Sequence, residues 1–322
     1  MIHTNKGGFM NKIGAYELDG WKSISSQFYK LIILIACVAT MLITGSPAQA
    51  LEGSGHYVGG NEDFMAGALP PPGMYPINYG VYYTANKIRD NNGNDVAPPN
   101  FKLNVYAYAF RFVHVTKMKL WGADVAWHAI LPLVNQTIDL PGRTFKSTGI
   151  GDIEFAPLIL GWHFNKNFHL TGSLGFMAPT GSFDKTDPSS IGQNYWTIAP
   201  ILAPTYISDG GFEVSGKFQY FFNTKNNDTN FTSGNEFLLD YLVGQHVGNW
   251  NFGVNGFVHK QITDDEVNGV KVKDDLVQTI SVGPAIQYNY KNMFFNAKYQ
   301  WDTNVRNSPE GQKLWLKFLY AF

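Results

Sequence analysis

The chain has 322 residues, with 24 basic and 25 acidic side chains, eight histidines and one cysteine, and a formal net charge of −1. That balance excludes attachment to nucleic acid through a basic surface, and one cysteine excludes an internal disulfide. Hydrophobic residues make up 44% of the chain while mean hydropathy is only −0.16, which argues against a bundle of membrane-spanning helices.

The first distinctive element is the apolar run LIILIACVATMLI, residues 31–43. A helical span needs about 20 apolar residues, so this run is too short. It follows Lys22 and Lys30 and leads to Ala48-Gln49-Ala50, the pattern of a signal peptide removed after Ala50. The thirty residues before it make a long leader, which an upstream start codon explains more simply than a structural role. Cys37 lies inside this run. Leu34-Ile35-Ala36-Cys37 resembles a lipoprotein cleavage box, but cutting there would leave VATMLI exposed behind the lipid. Removing residues 1–50 leaves 20 basic against 23 acidic residues, so nothing in the mature chain points to nucleic acid.

Residues 51–73 read LEGSGHYVGGNEDFMAGALPPPG. Glycines and Pro70-Pro71-Pro72 forbid a regular element, yet His56, Tyr57, Asp63, Phe64 and Met65 make the stretch rich for a linker. Two readings stay open: a segment lining or narrowing a barrel lumen, or a flexible periplasmic lead-in.

From Met74 to Phe322 the polarity alternates with a period of two. Tyr75, Ile77, Tyr79, Val81 and Tyr83 form the first apolar face. The second strand, 101–115, is less clean because Tyr106, Tyr108, Phe110 and Phe112 share a face with Lys102 and Asn104, and a bulge is expected there. After Thr116–Met118, Trp121, Ala123, Val125, Trp127, Ala129 and Leu131 face lipid, with Asp124, Ala126 and His128 inward. Residues 134–148 read as a loop. GIGDIEFAPLILGWHF, the turn Asn165-Lys166-Asn167 and a strand carrying His169 follow. The clearest strand sets Phe212, Val214, Phe218, Tyr220 and Phe222 against Glu213, Ser215, Lys217, Gln219 and Asn223. Glu236 and Asp240, then His259, then Lys298 fall inward on later strands. QKLWLKFLYAF closes the chain with Leu314, Leu316, Phe318, Tyr320 and Phe322 on one face.

These segments predict an all-β, up-and-down antiparallel transmembrane β-barrel of about twelve strands, joined alternately by six long loops and five short turns. Short periplasmic turns, long outer loops and a terminal aromatic strand place it in a bacterial outer membrane, with the last strand addressed to the barrel-insertion machinery. The organisation is a removed leader (1–50), the Gly/Pro-rich segment (51–73) and the barrel (74–322).

No nucleophile elbow, zinc-binding or phosphate-loop motif occurs, so no catalytic residue, metal or cofactor is expected. DNNGND, residues 90–95, has the flavour of a calcium loop but lacks its sixth-position glycine and twelfth-position acid. Candidate residues of a solute path are His56, Tyr57, Phe64, Met65, Tyr106, Tyr108, Phe110, Asp124, His128, Asp152, Glu154, His169, Lys217, Glu236, Asp240, His259 and Lys298, with Phe257 and Trp315 as further inward aromatics. Mixed charges in a narrow lumen either pair and stiffen the wall or line a route. Four arginines are too few for a ladder binding acidic oligosaccharides.

At His56-Tyr57, Pro70-Pro71-Pro72-Gly73, Gly151-Asp152 and Pro179-Thr180-Gly181, within a match over most of 52–322, the chain resembles the bacterial transporters of the meta-pathway of phenol degradation. The resemblance implies an outer-membrane channel for passive uptake of a small hydrophobic or aromatic solute. A general, nucleoside or sugar porin and an outer-membrane lipid hydrolase are the alternatives.

Overall fold

The computed structural model describes residues 56–322; the leader expected over residues 1–50 and its expected cleavage site fall outside the described residues. The strands are, in chain order, β1 (Gly73–Arg89), β2 (Lys102–Leu120), β3 (Ala123–Leu140), β4 (Arg143–Ile150), β5 (Ile153–His163), β6 (Phe168–Ala178), β7 (Thr197–Ile207) and β8 (Phe212–Asn223). Then come the short β9 (Lys225–Asn226) and β10 (Phe231–Thr232), the long β11 (Glu236–Val247) and β12 (Trp250–Gln261), and the short β13 (Glu266–Val267) and β14 (Val270–Lys271). Last are β15 (Gln278–Tyr290), β16 (Met293–Arg306) and β17 (Ser308–Tyr320).

Each long strand pairs antiparallel with its chain neighbour, and β1 pairs with β17 from Ile77↔Leu319 to Arg89↔Ser308. The ring is therefore closed, and no strand edge is left to face hydrocarbon, where each unpaired backbone group would cost several kcal/mol. β4 pairs only with the outer half of β3, and β5 takes over along the same edge from Ile130↔Glu154 to Asp124↔Gly161. β4 and β5 are thus one stave interrupted at Gly151-Asp152, which gives twelve staves, as the alternation predicts.

Residues 134–148, expected as a loop, instead continue the wall as a projecting hairpin. Its tip turns at Pro141-Gly142, with Gly142 at φ 77°. Two further loops meet across the barrel mouth, because β10 pairs with both β9 and β13 and β13 pairs with β14. At the opposite rim the connections are tight. Trp121, expected on the lipid face, belongs to one of them: Trp121 (φ 50°) and Gly122 (φ 78°) form a two-residue hairpin loop of the kind that matches strand twist. Of the six long loops expected, the one at RNSPEG (306–311) before the last strand is absent, since only Asn307 separates β16 from β17.

The outer face carries exposed Trp127, Leu174, Phe212, Phe218, Phe252, Ile286, Phe295 and Leu316. Two assignments of face reverse. Tyr75, Ile77 and Tyr79, taken as the apolar face of the first strand, are buried inside against Val113, Val115, Ala126, Ile159 and Trp315. Tyr106, Tyr108 and Phe110, taken as inward, are exposed on the outer wall. The reason is the pleat. Tyr79 faces Ala109 and Asn78 faces Phe110, so an inward Tyr79 forces the even-numbered aromatics of β2 outward. The register shift in β2 lies further along, between Val115 and Lys119. Tyr108 reaches Asn78 with its hydroxyl (2.5 Å), which gives that outward amide a partner in the wall.

Candidate functional site

The inward face holds charged side chains, and residues 56–72 supply their partners. Lys298 donates to the carbonyls of Gly60, Asn61 and Glu62 at 2.7, 2.9 and 3.2 Å. It also pairs with the Asp63 carboxylate at 3.1 Å, and Lys317 holds the other oxygen of that group. Glu62 lies between Arg111 (2.7 Å) and Lys217 (3.4 Å). Burial alone would raise the Glu62 carboxyl, but Arg111, Lys217 and Lys317 outweigh it and hold the group well below the usual carboxylate range. Asp240 accepts from the Gly60 amide (2.7 Å) and from the Tyr57 hydroxyl (3.1 Å). Nearer the short-turn rim, Glu213 accepts from the Met65 amide (2.5 Å), and Thr205 accepts from the Gly67 amide (2.9 Å).

Arg111 also donates to Nδ1 of His128 (2.8 Å). A guanidinium has only donors, so Nδ1 of His128 carries the lone pair and its proton sits on Nε2, which points toward Glu154 at 3.7 Å.

His56 is the second anchor. Its Nδ1 lies 2.7 Å from the Thr197 hydroxyl and its Nε2 2.9 Å from Asp152. Asp152 sits in the break between β4 and β5 and also accepts from the amides of Gly181 (2.8 Å) and Gln193 (2.7 Å). Burial pushes its carboxyl up, but the His56 contact and the two amides pull harder, and the net shift is downward. Gly181 and Gly192 cross so closely that a Cβ on Gly181 would stand 2.8 Å from the Gly192 Cα. Three segments distant in sequence, at His56, Gly151-Asp152 and Thr180-Gly181, are thereby tied at one point.

Of the sequence-predicted residues, Asp124, His128, Asp152, Glu154, Lys217, Glu236, Asp240, His259 and Lys298 point inward, and His259 pairs with Glu236 at 2.6 Å. Tyr57 packs against the cluster of Met177, Ile201, Phe221, Leu238 and Phe257, and Phe64 packs on Leu242 and Ala285. Met65 is exposed with a left-handed φ of 60°. His169 stands opposite His163 at the rim, apart from the central network. Tyr106, Tyr108 and Phe110 are not brought to it. Sequence reading set Glu213 and His246 on inward faces without naming them for the site, where they pair at 2.5 Å, and it missed Arg111, Glu62 and Lys317. The available signal was charge complementarity: the adjacent acids Glu62 and Asp63 in a glycine-rich stretch need cations, and inward lysines recur on later strands.

A closed twelve-stranded barrel with an apolar outer belt and a polar, charge-paired interior defines a bacterial outer-membrane β-barrel protein. Residues 85–318 match the family described as "Putative MetA-pathway of phenol degradation", and the chain belongs to that family. Its structure is similar to the COG4313 outer membrane channel from Pseudomonas putida F1, with a TM-score of 0.73 and 18% identity over 80% of this chain and 98% of that one. A looser likeness links it to the β domain of the Bordetella autotransporter BrkA (TM-score 0.45, 11% identity, 78% and 99% coverage). The TodX monoaromatic hydrocarbon channel variant is looser still (TM-score 0.41, 9% identity, 78% and 91% coverage). No curated protein matches the chain in sequence.

Proposed function

We propose that this barrel is a channel for passive, selective entry of small hydrophobic or aromatic compounds, gated by residues 56–72. The observation that carries the reading is the apolar lining formed inside the wall by Met177, Ala199, Ile201, Phe221, Leu238 and Phe257 with Tyr57 packed on it. Barrel interiors in the outer membrane are ordinarily polar, so a luminal apolar face toward the long-loop end suits a solute that leaves water reluctantly. A second apolar lining, from Tyr75 to Ile159 and Trp315, lies toward the short-turn end. Between them lies a belt of wall charges paired with the N-terminal segment, so displacing that segment opens the space between the two linings. Family membership in a phenol-degradation group agrees with an aromatic solute.

Uptake by proteoliposomes of phenol or toluene, measured against a sugar and a nucleoside, tests this. Faster aromatic entry that slows in Phe221→Glu supports the reading. Equal permeation of all of them leaves a general pore.

A further inference from the structure

At the short-turn rim, His163 ends β5 and His169 is the second residue of β6, directly opposite each other in the ladder. Their Nδ1 atoms are 2.7 Å apart, and the rings meet edge to face with centroids 4.9 Å apart. The Nε2 of His163 points at Asp124 on the adjoining strand, 3.6 Å away, while Lys119 holds the other oxygen of that carboxylate at 2.5 Å. The His163 side chain keeps 35% of its surface open to solvent.

The hairpin beneath the pair is tied by its own contacts. Asn165 accepts from the amides of Asn167 and Phe168, both at 2.8 Å, and Phe164 stacks on Phe168 at 5.7 Å. Lys166, the nearest cation on this turn, is paired with Asp209 at 2.8 Å.

We propose that His163 and His169 bind one divalent transition-metal ion of the copper, nickel or zinc class through their Nδ1 atoms, with water completing the shell. A contact of 2.7 Å between two ring nitrogens requires one proton shared by two lone pairs that point at each other. A metal ion takes the place of that proton, and the His169 ring carries its proton on Nε2 instead through exchange with solvent, so both rings stay neutral and no net proton is released. Metal–nitrogen bonds of about 2.0–2.1 Å need the two nitrogens roughly half an ångström further apart than they are now, within the reach of small ring rotations at an open rim.

Asp124 plays the outer carboxylate. Its carboxylate lies 3.6 Å from Nε2 of His163, beyond direct hydrogen-bond length, and its charge favours the tautomer with the proton on Nε2 and Nδ1 free. Directly opposite strand residues have Cβ atoms about 4.5–5.5 Å apart, the span that lets two imidazoles grip one ion. Among the described residues no set of three His, Cys, Asp or Glu side chains converges as a closed metal centre, so the site is open and exchangeable rather than structural.

The test is calorimetric titration of the untagged mature protein in detergent with copper(II), nickel(II) and zinc(II). One ion should bind per barrel, copper tightest. Electron paramagnetic resonance of the copper form should show two coordinated imidazole nitrogens. His163→Gln and His169→Gln should each weaken binding about 100-fold or more, and Asp124→Asn by about 10-fold. Lowering the pH from about 7.5 to about 5.5 should release the ion, because both rings must be neutral to bind. Heat-modifiable gel mobility identifies the folded variants. Unaltered copper binding in folded His169→Gln, a spectrum without two nitrogens, or no binding at millimolar metal would overturn the proposal.

Discussion

Lys298 shows how much one buried side chain organises. It is 2% exposed and serves three carbonyls and the Asp63 carboxylate of the N-terminal segment at once. Lys298→Met removes the cation and leaves those acceptors in a dry interior. Breaking a buried pair from one side costs roughly 3–5 kcal/mol, and part of that cost here is the segment's hold on the wall. The expected result in planar bilayers is a higher open probability than wild type; unchanged gating would mean that Glu62, Gly67 and His56 hold the segment without it. Gly181 makes a different kind of test. Gly181→Ala drives a methyl into the Gly192 backbone, with an expected loss of about 1–3 kcal/mol and loosening around Asp152, read as faster amide exchange over residues 179–196.

Among the elements, the outer loops that carry β9, β10, β13 and β14 have their own pH response. Asp265 accepts from the Gly234 amide and from Gln261, each at 2.6 Å. Burial, which outweighs those bonds, pushes its carboxyl up to about 6. Asp275 is likewise raised to about 6, by burial first and then by the charge of Asp265. A carboxyl whose pKa is higher in the packed loops than in the free chain binds more protons when packed. The packing is therefore favoured at acid pH and is lost progressively as pH rises from about 4 through about 6. Protection factors over residues 262–277, taken relative to the base-catalysed exchange of the free chain at each pH, should be higher at about pH 5 than at about pH 8, and Asp265→Asn should remove most of that difference. Asp152 behaves in the opposite sense. Its lowered pKa makes the His56 anchor fully present at neutral pH and weaker only as pH falls below the ordinary aspartate range.

For the molecule as a whole, ring closure and luminal occupancy are separable. Strands β1 and β17 close the ring through their ladder, and the Phe322 amide donates to Met74 at 3.1 Å. The backbone ladder of that seam uses none of residues 56–69, although the Lys317 side chain of β17 holds Asp63. Deleting those residues should leave a folded, heat-modifiable barrel with larger single-channel conductance; wild-type conductance in the deletion would remove the gate. Deleting Phe322 should instead reduce assembly into the outer membrane without changing the conductance of those barrels that do assemble.

Period-two alternation was enough to read twelve staves, the tight turn at 165–167, and the inward placement of Lys217, Asp240 and Lys298, because a wall wetted by lipid on one side must separate polarity strand by strand. It failed where both faces are greasy. β1 and β2 carry aromatics on each side, so only the register with Tyr79 opposite Ala109 decided that Tyr106, Tyr108 and Phe110 face outward. Nor did local pattern reveal that Glu62 lies between Arg111 and Lys217, or that His56 meets Asp152. Alternation is a property of neighbours along the chain, whereas these contacts join residues 49 to 155 positions apart and exist only once the cylinder has closed around the segment.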